Sequence, residues 1–353
     1  MNRTLTALAI PLMLMGGAAS AKVTSEKVDR VSAEKVVVTW SDKAPVDVYV
    51  SDSPDATFAT AKLVSRADAD GTFESAVAPG ARVYFLLKDT KDNTLVRVAE
   101  RALPLDHGSN FRDLGGYETK DGKHVRWGKI FRSGGQPMLS ESDLATTHAL
   151  GLKDLVDLRS SEERVLAPTR INGVRYTAVG YSMMDIAGPG GPPTQMSQVG
   201  EAYKRMPALL APQIRDLFHA LRANEGPIAY NCSAGQDRTG FATALILTAL
   251  GVPRDTIYAD YHLSTTYRNP AYEMPKINAA AYPENPTAQY FAKMQEDGRM
   301  LKPQPLYDSN KKPLLQYALE EIEGRYGSVE AYLDKEIGVK PSDVAKLRAT
   351  YLE

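Results

Sequence analysis

A chain of 353 residues, 43% hydrophobic and 24% charged, has material for two folded units and a large core. Its 42 basic and 43 acidic residues leave a net charge of −1, which excludes a general attraction to nucleic acid or to an anionic membrane surface. The five histidines stand apart with no metal-ligand spacing, so no metal site is expected. At the N-terminus, Asn2-Arg3, an apolar run over 5–15 and Ala19-Ser20-Ala21 before Lys22 form the pattern of an export signal. Residues 1–21 are therefore predicted to be a signal peptide, and the mature chain to be periplasmic or secreted. The apolar run is too short to span a bilayer, and no later stretch is apolar enough to insert in a membrane. Cys232 is the only cysteine, so no internal disulfide can form. A free thiol kept in an oxidising compartment suits a thiol with chemical work.

From 22 to 104 the pattern is short and β-like. Segments 35–40, 46–50, 82–87 and 95–99 are rich in valine, leucine and aromatic residues, and turn clusters such as Ser51-Asp52-Ser53-Pro54 and Lys91-Asp92-Asn93 separate them. This spacing resembles a small β-sandwich of the fibronectin-III or immunoglobulin-like kind, with Trp40 in its core. Ala102-Leu103-Pro104-Leu105 reads as the linker to a second unit, 105–353.

The second unit opens with Asn110-Phe111-Arg112-Asp113-Leu114-Gly115-Gly116-Tyr117, whose paired glycines suit a tight hairpin bend. Arg112 either pairs with Asp113 or reaches an anion bound elsewhere in the unit; Arg132 has the same two readings. Ser140-Glu141-Ser142-Asp143 caps a helix that stops at Gly151. Segment 155–158 reads as a strand entering a loop, with Asp157 at its end. Asp157 either faces the site or holds the loop. Segment 182–193 is apolar and rich in glycine and proline, and carries Asp185; helices over 203–206 and 213–223 follow.

Everything else is organised around 228–240. An apolar run, Ile228-Ala229-Tyr230, ends at Asn231-Cys232, and Arg238 follows six positions after the cysteine. Then 241–250 forms a helix closed by Gly251. Strand, tight loop and buried helix bring backbone N–H groups and the positive end of the helix dipole to one place, where a phosphate group fits. Cys232 is placed as a nucleophile, the dipole and Arg238 favouring its thiolate form. Ser233, Ala234, Gly235 and Gln236 form the cradle, and Gly235 removes a Cβ from the path of the anion. Arg238 offers a planar fork to two phosphoryl oxygens. Thr239 can donate its hydroxyl to the sulfur, and Asp237 can protonate a leaving alkoxide.

The sequence 232–239 resembles the C-x5-R-[ST] signature of the cysteine-based protein tyrosine phosphatases. Its Asp-Arg-Thr ending resembles the branch with bacterial dual tyrosine/lipid phosphatases. Segments 110–116, 132–134, 157–164 and 326–333 are similar to blocks of one bacterial tyrosine-phosphatase family, so the resemblance runs from about Asp106 to the end. It implies an α/β fold with a tyrosine-phosphatase-like central sheet flanked by helices. It also implies catalysis by Cys232, Arg238, Asp237 and Thr239 without a cofactor. In tyrosine phosphatases a mobile loop upstream of the cysteine often carries the general acid, which makes Asp185 the rival of Asp237. The surroundings of Asp185 lack the usual Trp-Pro-Asp, so Asp237 is favoured. Two departures stand out: Asn231 replaces the usual histidine, and Gln236 stands where lipid-active members often carry lysine. The expected substrates are phosphorylated proteins, with lipid head groups or small phosphate esters as alternatives and a catalytically dead phosphate binder as the contrasting reading. After Gly251 a helix over 253–264 is expected, then a proline-rich 267–313 that forms either a lid or a surface excursion.

Overall fold

The computed structural model describes residues 23–188, 196–298 and 306–353; the predicted signal peptide and positions 189–193 of the glycine/proline segment lie outside the described residues. The N-terminal unit is built from β1 (Thr24–Ser32), β2 (Lys35–Ser41), β3 (Val46–Ser51), β4 (Lys62–Asp68), β5 (Thr72–Ala76), β6 (Tyr84–Asp89) and β7 (Leu95–Ala99). They pair antiparallel in two sheets, β1-β2-β5 and β4-β3-β6-β7. Alternation sends Val36, Val38 and Trp40 of one sheet and Val48, Phe85, Leu87, Val96 and Val98 of the other into a shared interior. β1, β4 and β5 carry few apolar residues and mostly exposed or half-buried side chains, which is why the sequence reading did not single them out.

The second unit is a mixed α/β structure. Its strands are β8 (Arg112–Asp113), β9 (Ile130–Ser133), β10 (Asp154–Asp157), β11 (Arg175–Thr177) and β12 (Ile228–Asn231). The order is β11-β10-β12-β9-β8, parallel except for the antiparallel β8–β9 edge. Around it stand α1 (Glu141–Ala149), α2 (Ser161–Leu166), α3 (Met183–Ala187), α4 (Met196–Leu209), α5 (Ala211–Ala223), α6 (Asp237–Leu250) and α7 (Arg254–His262), followed by shorter turns and the C-terminal helices. Successive strand residues feed opposite faces. Ile228, Tyr230, Ile130 and Val156 enter the core beneath α5 and α6, while Ala229, Phe131 and Leu155 join a second core with Leu139, Leu144 and Leu152. Helix α6 is buried on nearly every side, as its apolar sequence requires.

Three expectations are refined. The segment read as a linker is packed: Leu103 is buried, its N–H donates to Phe111 O, and Ala102 bridges to Arg112. Gly115 and Gly116 serve close approach, because a Cβ on either would lie 2.4–2.6 Å from Trp127. The excursion 267–313 contains an 11-residue helix, Pro286–Glu296, that buries Thr287, Ala288, Phe291 and Ala292.

The units meet through Trp127, which is buried in the interior of the N-terminal sheets and donates from Nε1 to Arg97 O at 2.9 Å. Beside it, Arg82 of the first unit forms a buried ion pair with Asp113 of the second at 2.8 Å. Asp113 also accepts from the Gly115 and Gly128 N–H groups.

Candidate active site

Register brings Ser133 and Asp157 opposite Asn231, so the carboxyl ends of β9, β10 and β12 lie level. The loop 232–236 leaves β12 there and runs straight into α6. Gly235 takes φ +64°, and a Cβ on it would sit 2.4 Å from Gly134 N. No other residue fits without moving the backbone. Asn110 Nδ2 donates to the Ala234 and Gly235 carbonyls at 2.9 Å, Arg132 Nη2 donates to Gly235 O at 2.7 Å, and Gly135 N donates to Ser233 O at 2.8 Å. A trans peptide points its N–H opposite its C=O. Tying these three carbonyls to the scaffold therefore turns the N–H groups of Ala234, Gly235 and Gln236 to the other side of the loop, as an anion cradle needs. Cys232 is buried at the start of this turn.

Arg238 closes the loop, and its fork is held by a residue that the sequence reading did not single out. Nη1 and Nη2 donate to the two Glu163 carboxylate oxygens at 2.6 and 2.7 Å, and Nη1 also donates to Tyr181 Oη at 2.8 Å. Glu163 is wholly buried at the third position of α2, where it also accepts from Ser160 N at 2.9 Å and Ser233 Oγ at 2.7 Å. Burial pushes its carboxyl up, but the Arg238 charge and these donors outweigh that and lower it to about 2. The Ser160-x-x-Glu163 spacing is a capping-box pattern, and that signal in the sequence marks Glu163 as a fixed carboxylate at a helix start.

Asp237 is half-buried at the first turn of α6. Tyr203 Oη of α4 donates to its Oδ1, and Tyr203 is itself 2.5 Å from Tyr261 Oη of α7. Burial, then the neighbouring Asp237, raise the Tyr203 hydroxyl well above the ordinary tyrosine range, so it remains a donor. Gln236 Nε2 lies 3.3 Å from the same Oδ1, and Arg268 donates to Gln236 Oε1 at 2.8 Å. The Thr239 hydroxyl is buried and donates to Ser133 O at 3.5 Å, a long bond.

The remaining predicted residues sit as follows. Arg112 is fully buried and bonds Asp260 at 3.2 Å through Nε, and its Nη1 bonds Asn110. Its ion-pair partner is Asp260 and not Asp113. Arg132 bonds Asp260 too, so one carboxylate collects two guanidinium groups and the Tyr117 hydroxyl. Burial opposes the Asp260 charge, yet the two arginines hold its carboxyl far below the usual range. Asp157 is bidentate to Arg159, at 2.6 Å at its closest, and accepts from Tyr176 Oη at 2.8 Å and Asn231 Nδ2 at 3.3 Å. The carboxylate thereby links the strand end to the residue before the cysteine. Asp185 is exposed and caps the first turn of α3, accepting from Ser182 N at 2.9 Å. Among the described residues no group of three or more His, Cys, Asp or Glu is arranged to hold a metal ion, and no helix is long and apolar enough to cross a membrane.

A family model described as "Tyrosine phosphatase family" matches residues 103–353. The chain belongs to the tyrosine phosphatase family and is a hydrolase of that family. It is 34% identical over 265 residues to a candidate tyrosine-protein phosphatase of Cupriavidus necator, an alignment spanning 71% of this chain and 88% of the relative. It is 28% identical over 281 residues to the triple specificity protein phosphatase PtpB of Mycobacterium tuberculosis, covering 69% and 96%. A tyrosine-protein phosphatase of Nostoc commune is 27% identical over 225 residues, covering 60% and 69%.

Proposed function

We propose that this tyrosine-phosphatase family member is an exported, cysteine-dependent phosphomonoesterase that works through a phosphocysteine intermediate, with phosphotyrosine or related phosphate monoesters as substrates. The single observation that carries the reading is the cysteine loop: Cys232, the Gly235 turn and the Arg238 fork converge at the start of α6, with the loop carbonyls tied back by Asn110, Arg132 and Gly135.

In the first step the Cys232 sulfur attacks phosphorus, the ester P–O bond breaks, and the leaving oxygen takes a proton from Asp237. The loop N–H groups and Arg238 hold the three remaining oxygens, and their charge is best matched in the transition state. In the second step water attacks phosphorus and gives a proton to the Asp237 carboxylate. The S–P bond then breaks, and the released sulfur takes a hydrogen bond from Thr239. Asp237 is preferred over Asp185 as the acid, because it adjoins Arg238 at the loop while Asp185 stands exposed at a helix cap. Arg112 and Asp157 act by holding the scaffold, as their buried partners favour. The mycobacterial relative is named for triple specificity, so phosphoserine/threonine is included in the substrate range to be tested. The three-plus-four strand order of the N-terminal unit supports its reading as a small sandwich of the fibronectin-III or immunoglobulin-like kind.

The test is phosphate release, with EDTA present, from p-nitrophenyl phosphate, phosphotyrosine and phosphoserine peptides and an inositol phosphate. Wild type is expected to turn over, best on phosphotyrosine, and Cys232→Ser to be inactive. A wild-type protein that binds phosphotyrosine peptide yet releases no phosphate under reducing conditions makes the chain a binder instead. Export is tested by N-terminal sequencing of the mature protein, which is expected to begin at Lys22.

A further inference from the structure

Arg268 lies 30 positions beyond Arg238, outside every motif described above, yet it reaches the loop. Its Nε and Nη2 are clamped on Glu273 at 2.8 and 2.7 Å, and Nη1 is left to donate to Gln236 Oε1 at 2.8 Å. The clamp is fixed in turn. Glu273 is buried and accepts from Ser109 Oγ at 2.8 Å, Ser109 Oγ accepts from Asn269 N at 2.9 Å, and Asn110 N donates to Tyr267 O at 2.9 Å. Burial works against the Arg268 charge, but Glu273 outweighs it, and Asp237 and Cys232 both act on it through space.

A guanidinium has donors only, so it determines which end of the Gln236 amide it meets. The oxygen must face Arg268, and the NH2 end must therefore face Asp237. Both donors at Asp237, that NH2 and the Tyr203 hydroxyl, converge on Oδ1. An oxygen that accepts two hydrogen bonds is a poor seat for a proton, which leaves Oδ2 to carry it.

We propose that Arg268 is a positioning residue: by locking Gln236 it helps hold Asp237 with Oδ1 as acceptor and Oδ2 as the atom that gives and takes the proton. This rests on the phosphatase reading given above. It makes Gln236, which stands where a lysine was noted for related enzymes, part of the acid–base device.

The experiment compares wild type with Arg268→Met, Arg268→Lys, Gln236→Leu and the Arg268→Met/Gln236→Leu double variant on aryl phosphates of graded leaving-group pKa. With the acid mispositioned, kcat/KM, which reports the step that releases the alcohol and not the shared hydrolysis step, should fall about tenfold on phenyl phosphate and less than about twofold on p-nitrophenyl phosphate. Gln236→Leu should match Arg268→Met, the double variant should lose no more than either, and Arg268→Lys should recover most of the rate. Equal losses in kcat/KM on all leaving groups, a loss confined to KM, or losses that multiply in the double variant would overturn the proposal. Should Arg268→Met not fold, Gln236→Leu carries the test, because it leaves the Arg268–Glu273 clamp intact. A wild-type chain that releases no phosphate sinks the phosphatase reading itself; an active wild type with an Arg268→Met variant indistinguishable from it sinks only the positioning role.

Discussion

In the N-terminal unit the interior is valine, leucine and aromatic residues, and ion pairs such as Lys27–Asp29 and Lys35–Glu74 stand in water, with Arg30–Glu100 the one largely buried exception among the described residues. In the second unit three carboxylates with 0% side-chain exposure each hold arginine from within the unit: Asp260 with Arg112 and Arg132, Asp157 with Arg159, and Glu163 with Arg238. Burying charge costs stability unless it is fully paired, so such pairs are a poor way to stabilise a fold. They cluster where the chain must hold a tight loop and an arginine fork in one arrangement. The first unit is assembled by apolar area, and the second spends some of that stability on placing charge.

Four variants test whether buried charge and apolar area divide the two units in this way. Asp260→Asn leaves two buried guanidinium groups without their carboxylate, and should cost about 5 kcal/mol in urea unfolding; a cost near that of a surface pair would show that these charges are not structural. Trp127→Ala opens a cavity at the seam, and should cost about 4 kcal/mol and split a single thermal transition into two. Glu163 titrates at about 2 in the folded protein against an ordinary 4.5. A lowered folded value means its contribution is present above pH 4.5 and is lost as the pH falls towards 2, by about 3 kcal/mol in all. Stability measured down that range should therefore fall for wild type and stay flatter for Glu163→Gln, and parallel curves would refute the assignment. Lys35→Ala, which breaks an exposed pair in the first unit, should change stability by less than about 0.5 kcal/mol.

The loop itself was legible because its chemistry is local. Cys232, Gly235, Asp237 and Arg238 lie within seven residues, between a short apolar run, Ile228-Ala229-Tyr230, and a long helix-forming one closed by Gly251. What was not legible is pairing across long separations. Arg112 finds Asp260 148 positions away, and Arg268 comes to Gln236 from a stretch with no periodic pattern. Asp157 is adjacent in register to Asn231, a fact that depends on strand order and not on either segment alone. The half-exposed strands β1, β4 and β5 were missed for a related reason: a strand whose outer face meets water carries too few apolar residues to announce itself.

The family match begins at residue 103, but the indole of Trp127 is enclosed by side chains that come before it, and the Asp113 carboxylate has its cation at Arg82. A gene trimmed to the matched region would therefore encode a protein with an aromatic side chain bared on its flank and an acid stranded beside it. For anyone expressing, shuffling or fusing this catalyst, the practical unit of inheritance is larger than the one that similarity outlines.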